Sequence, residues 1–190
     1  MAWKKSTVQR TYTEDALYNY AVGALGRRMR TVAELKRLMR ARAGHQHDCD
    51  ALVEAVTARL KEQRYLNDTS YASSYSVSRR DNQKFGPMRV VQELKARGVH
   101  PEVIEKTVAE TYGEVDEQKL VSEFAERKRL TQPSDRKQAA RIFRRMARAG
   151  FSSRVIVQWL RTRQVEDETL SALEQEREMA ALSPPDEDEP

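Results

Sequence analysis

Apolar side chains along this chain recur at intervals of three and four residues, with polar and charged residues between them. That spacing gives each segment one apolar stripe at the helical period and no alternating strand face. Residues 65–99 are the clearest case. Tyr71, Ala72 and Tyr75 share one helix face, and Val90, Val91 and Leu94 form the stripe of a second helix over 85–98. The pattern returns at 31–43 and at 136–150. Leu35, Val90 and Ile142 take one position, and Met39, Leu94 and Met146 take the position four residues on. A further helix follows each time, marked by Leu52-Val53, Val103-Ile104 and Val155-Ile156, with Val56, Val108 or Trp159 one turn later. Three units of three helices are therefore predicted. A unit of about fifty residues buries little surface alone, so the units must stack on one another. The expected fold is all-α: three tandem three-helix repeats in an elongated, slightly curved array. The expected division is a basic arm over 1–13, repeats over 14–66, 67–113 and 114–165, and an acidic tail over 166–190, partly disordered.

Punctuation supports the helices. Thr13 or a neighbour opens the first, which turns Leu17, Tyr20, Ala21, Ala24 and Leu25 inward. Thr31 and Glu34 predict a capping box, in which the hydroxyl takes one free N–H and the carboxylate reaches back for another. Asp48 or Asp50 is expected to cap the next helix, Asn67 or Asp68 the one after, Ser134 a helix over 135–149, and Ser152 the last repeat helix. Pro87 and Pro101 suit first helical positions, where the missing N–H costs no bond. Gly98 and Gly150 suit helix stops, because glycine enters the left-handed region without a Cβ clash. Phe85 is expected to staple onto its own helix. Residues 166–182 read as a polar helix with little face to bury, and 183–190 as a disordered acidic run.

Composition narrows the setting. No run of 18 apolar residues exists, so no membrane span is expected. The start, Met-Ala-Trp-Lys-Lys-Ser, lacks an apolar signal region. Cys49 is the one cysteine, which excludes an internal disulfide and fits a cytoplasmic protein. The net charge of +5 hides an asymmetry: residues 166–190 hold ten acids against Arg177 alone, so they carry −9 and residues 1–165 carry +14. Residues 136–165 hold nine bases and no acid. Such a body suits a polyanion or an acidic protein surface.

The chemistry-bearing candidates follow from that charge. His45, His47 and Cys49 are zinc-ligand types, but they lie within five residues with no further ligand pair, and a polar loop explains them. No phosphate-binding or dinucleotide-binding glycine motif occurs, so no metal and no cofactor is expected. Trp159 reads as core. The cations are the better candidates: Arg79, Arg80, Lys84 and Arg89 around the turn of the second unit, and Arg141, Arg144, Arg145 and Arg148 at intervals of three and four opposite Ile142 and Met146. The latter set makes one cationic stripe, and arginine forks suit phosphate or carboxylate.

Leu66-Asn67-Asp68, Tyr71-Ala72, Tyr75, Arg79, Gly86-Pro87-Met88-Arg89 and Glu93-Leu94-Lys95-Ala96-Arg97-Gly98-Val99 resemble the RecX family of recombinase regulators. Glu34-Leu35-Lys36-Arg37-Leu38-Met39 is similar to the equivalent helix of that family's first repeat. The resemblance covers roughly residues 14–165 and is strongest in the second unit. Phe85 departs from the lysine or tyrosine common there, and the loop at 44–50 is longer. The resemblance implies a monomeric, non-enzymatic protein that binds RecA filaments on single-stranded DNA, lies along their groove, and suppresses ATP hydrolysis, strand exchange and repressor cleavage in recombination and the SOS response. It leaves open whether DNA, single- or double-stranded, is touched directly. A helix-turn-helix DNA-binding protein acting without RecA is the alternative, though helix 85–98 offers only Arg89 and Gln92 for reading bases.

Overall fold

The computed structural model describes residues 11–44 and 46–182 and, among them, ten α-helices and no strand. They are α1 (Glu14–Arg27), α2 (Val32–Ala43), α3 (Cys49–Glu62), α4 (Asp68–Gln83), α5 (Pro87–Ala96), α6 (Pro101–Tyr112), α7 (Glu117–Arg127), α8 (Arg136–Arg148), α9 (Ser153–Arg161) and α10 (Asp167–Leu182). The expected arm over residues 1–10, His45 and the acidic run 183–190 lie outside the described residues.

The repeat positions read from the apolar pattern are core positions. Leu35, Val90 and Ile142 are buried, as are Met39, Leu94 and Met146, and so are Val56, Val108 and Trp159. Compactness divides the chain differently from periodicity. Among the described residues, one unit comprises those up to Ser74 and Leu94–Thr107, the other Tyr75–Glu93 and those from Val108 on, so the middle helices α4, α5 and α6 contribute to both.

In the first unit, α1, α2 and α3 pack on one another around Leu17, Leu35, Met39, Val53, Val56 and Leu60. Thr13 caps α1 through its side chain at Ala16, and Thr31 caps α2 at Glu34. The capping box is half made. The Glu34 carboxylate does not return to the cap; it pairs with Arg97 at 2.7 Å, and the Thr31 hydroxyl donates to the Arg97 carbonyl at 2.7 Å. Packing against the turn after α5 outcompetes the local bond. Asp68 serves α2 rather than its own helix, accepting from the Val32 amide at 2.9 Å, while Asn67 caps α4 at Ser70. Asp48 stands at the cap of α3 without a side-chain cap bond, because it accepts from Gln46, and Asp50 pairs with Arg40. Gly98, at φ 76°, lets Val99 bond back to Leu94 and close α5.

In the second unit, α7, α8 and α9 enclose Phe124, Phe143, Met146, Phe151, Ile156 and Trp159. Burial of each such side chain is worth about 1.5–3 kcal/mol. Phe124 and Phe151 meet with ring centres 5.5 Å apart. Phe85 packs toward Phe124 at 6.4 Å, and Arg89 of the helix it precedes stacks on its ring. Asp135, not Ser134, caps α8: its side chain accepts from Gln138, whose own amide oxygen accepts from the Ser134 amide in return. Ser152 caps α9 and Asp116 caps α7. The polar helix over 166–182 forms as α10 but is not idle. Leu170 and Leu173 are buried, α10 packs on α8 and α9, and Arg177 donates to the Phe151 carbonyl at 3.3 Å.

Candidate functional site

The two cation sets both belong to the second unit, and the structure gives them different duties. The end of α4 and the start of α5 form a knot around Glu93. Arg79 Nε lies 2.9 Å from one Glu93 oxygen and Arg89 Nε 3.0 Å from the other. The Tyr75 hydroxyl donates to Glu93 at 2.7 Å and accepts from Arg79 at 2.6 Å. Arg89 stacks over Phe85 at 4.0 Å and also donates to the Arg148 carbonyl. Burial would raise the Glu93 carboxyl, but the Tyr75 hydroxyl and the Arg89 and Arg79 guanidiniums outweigh it and hold the group below the usual carboxylate range. Arg80 pairs with Asp81 at 2.7 Å and donates to the Thr111 carbonyl at 2.6 Å. Lys84, left-handed at φ 58°, pairs with Glu123 at 2.8 Å and pulls that carboxyl's pKa down. Arg79, Arg80, Lys84 and Arg89, expected as exposed, are thus spent on internal partners. Arg89 is held in these contacts on α5, where Gln92 and Lys95 are exposed.

The α8 cations behave otherwise. Ala139, Ile142, Phe143 and Met146 bury one face of α8. Arg141, Arg144, Arg145 and Arg148 stand exposed on the other and enter no ion pair among the described residues. Sequence reading missed Lys137. It is exposed one turn before Arg141, so Lys137, Arg141, Arg144 and Arg148 follow one another at i, i+4, i+7 and i+11, a line about 16 Å long. Arg145 flanks it. The signal was present in the spacing, and only the choice of arginines hid it. Such a stripe can hold several phosphates or carboxylates at once, with no preorganised pocket and no nucleophile beside it.

Of the loop candidates, His45 lies outside the described residues, and Cys49 is half-buried at the start of α3. Trp159 is core, 1 % exposed, with Arg163 stacked on its ring at 4.0 Å. Among the described residues no helix is long and apolar enough to cross a membrane.

Residues 67–108 match the family model described as RecX, second three-helix domain. The chain is 34 % identical over 158 residues to the regulatory protein RecX of Myxococcus xanthus, with 76 % of this chain and 82 % of that protein covered. The chain belongs to the RecX family. A second RecX, from Deinococcus radiodurans, is 33 % identical over 178 residues and covers 92 % of this chain and 74 % of its own length. The crystal structure of RecX from Lactobacillus salivarius shares the fold, with a TM-score of 0.61 at 19 % identity over 87 % of this chain and 97 % of that one. The all-helical repeat architecture expected from the apolar period is therefore that of the RecX family, whose curated members named here are regulatory proteins.

Proposed function

We propose that this chain regulates RecA by binding RecA filaments on single-stranded DNA, and that it inhibits their ATPase, strand-exchange and co-protease activities. It acts by binding, not by catalysis. Membership of a family of regulatory proteins supports the reading, together with the resemblance of residues 65–99. The single observation that carries the site is the line of exposed cations on α8, which enter no ion pair among the described residues. A binding protein can alter a filament only by preferring one of its states, and an exposed arginine stripe provides such preference through phosphates or carboxylates brought together in the filament. The knot around Glu93 is tied to the end of α8, with Arg89 bonded to the Arg148 backbone. The turn cations Arg79, Arg80, Lys84 and Arg89 hold the unit together in this reading, and Arg141, Arg144, Arg145, Arg148 and Lys137 meet the partner.

The test is RecA ATPase on single-stranded DNA, titrated with the wild-type chain and with a variant carrying Ala at Arg141, Arg144, Arg145 and Arg148. The parent should slow ATP turnover, and the variant should not. If the stripe touches DNA phosphates, the slope of log affinity against log salt should fall by up to about 3 in the variant, roughly 0.7 per lost contact on a single strand. If it touches RecA carboxylates, binding to naked DNA should stay the same while filament binding drops. A variant that regulates RecA as well as its parent would remove the stripe from the mechanism.

A further inference from the structure

The first unit carries a cationic cleft of its own. Ala33, Lys36, Arg37 and Arg40 follow one another on α2 at i, i+3, i+4 and i+7, so they share one face of that helix. Lys95, Ala96 and Gly98 at the end of α5 complete the lining of an open cleft of about 480 Å³. All of these residues belong to the first unit, and no carboxylate is among them. The four cations are not equivalent. Lys36 is drawn to Glu54 at 2.6 Å and Arg40 to Asp50 at 2.7 Å, both acids of α3. Arg37 and Lys95 are exposed and enter no ion pair among the described residues. Their two charges are left over once the internal pairs are made. The walls are also fixed. The Thr31 hydroxyl and the Glu34 carboxylate both bind Arg97, which ties the start of α2 to the turn that ends α5. The floor is small of necessity, since a Cβ on Gly98 would stand 2.5 Å from the Ala33 Cβ. A helix C-terminus ordinarily repels an anion through its free carbonyls. Here they are already bonded: Leu94 accepts from the Arg97 and Val99 amides, and Lys95 from the Gly98 amide.

We infer that this cleft is an anion site of the first unit that takes phosphate, with Arg37 and Lys95 as its principal ligands from opposite walls. The phosphate comes from one of two sources, the backbone of a nucleic-acid strand or the polyphosphate of a free nucleotide. The site is separate from the α8 stripe and does not rest on the function proposed for it. Three physical points support the assignment. A phosphate presents three strong acceptor oxygens, which suits cations arriving from two helices; a carboxylate presents two. The arginine fork of Arg37 takes two of those oxygens in parallel, and the Lys95 ammonium adds a point charge. The cleft is larger than a single carboxylate needs and lies within the range of small-ligand sites. Because α2 and the end of α5 are already tied together, little ordering cost is left for binding. Both cations face solvent, so the attraction must weaken as salt screens it.

The test titrates the full chain at low salt with inorganic triphosphate, with ATP and with single-stranded oligo(dT), and follows two resonances that belong to the cleft, the Gly98 amide and the Arg37 Nε–Hε. At least one probe should move both, and the shifts should shrink at high salt. Arg37→Ala with Lys95→Ala should weaken that probe at the cleft about tenfold, the sum of two exposed ionic contacts. Both positions are exposed, so the melting temperature should stay near the parent's. The chain with Ala at Arg141, Arg144, Arg145 and Arg148 should keep the cleft shifts, which separates this site from the α8 stripe. Shifts with oligo(dT) that exceed those with ATP identify a nucleic-acid strand as the source. Shifts with triphosphate and ATP but none with oligo(dT) identify a free nucleotide. Silence of both resonances toward all three probes overturns the inference, as do shifts that persist undiminished in the double variant. An oligoglutamate peptide that moves them as far as triphosphate does would overturn the choice of phosphate over carboxylate.

Discussion

Gly86 and Gly150 meet backbone to backbone. The Gly86 amide donates to the Ala149 carbonyl at 2.9 Å, the Met88 amide donates to the Gly150 carbonyl at 3.2 Å, and a Cβ placed on Gly86 would stand 2.4 Å from the Gly150 oxygen. Gly150 is itself left-handed at φ 95°, and a Cβ there would strike the Arg89 amide at 2.4 Å. The turn that starts α5 is thus pressed onto the turn that ends α8, and no side chain fits between them. Gly86→Ala should cost about 1–3 kcal/mol, as overpacking of a close contact does. Thermal melting followed by circular dichroism checks this, and a melting temperature equal to the parent's would mean that the two turns are not in contact.

Gly98 is tight for a different reason. It sits at φ 76°, and an added Cβ would lie 2.5 Å from Ala33 Cβ. Gly98→Val should cost more than 1 kcal/mol, since both the left-handed backbone and the contact resist it. Removing the opposing methyl with Ala33→Gly should recover part of the loss for Gly98→Ala, leaving the backbone share of about 1 kcal/mol. Additive melting shifts for the two substitutions would show that the methyl groups do not collide.

Glu93 makes a pH prediction. Its folded pKa is lowered, so the stability it contributes is present above its unfolded value of about 4.3 and is lost as pH falls through the folded value. Glu93→Gln should cost about 1–2 kcal/mol near neutral pH, because two guanidiniums lose a charged partner. The gap between parent and variant should narrow below about pH 4. Denaturant melts at a series of pH values measure it, and a gap that widened in acid would contradict the assigned pairing.

The two cation sets should separate cleanly by stability. Arg89→Ala removes a pair with Glu93, a stack on Phe85 and a bond to the Arg148 carbonyl, and should lower stability by about 1–3 kcal/mol. Ala at Arg141, Arg144, Arg145 and Arg148 together should change it by less than about 1 kcal/mol, because exposed arginines contribute little. Chemical denaturation of the two variants decides, and a reversed order would exchange their roles.

α10 should behave as part of the core. Leu170→Ala and Leu173→Ala should each cost about 2–4 kcal/mol, the usual range for emptying a buried leucine site. Free surface helices lose almost nothing on such changes, so equilibrium melts of the single variants distinguish docked from idle.

The sequence by itself determined the helices, their order and their apolar faces. Helical period, proline at first positions and glycine at stops are local properties, and Leu35, Val90 and Ile142 declare their burial by spacing alone. The stripe on α8 was legible for the same reason, since a helix face is a matter of register. Tertiary structure decided which polar groups remain available. Glu34 turns from its own cap to Arg97, Asp68 serves the start of α2, and Arg79 and Arg89 converge on Glu93. Each of these choices is made between groups whose local options are nearly equal in energy, so a partner brought close by packing wins. α10 is the plainest instance. Its two leucines make too narrow a stripe to announce a buried face, and only the presence of α8 and α9 beside them made Leu170 and Leu173 core.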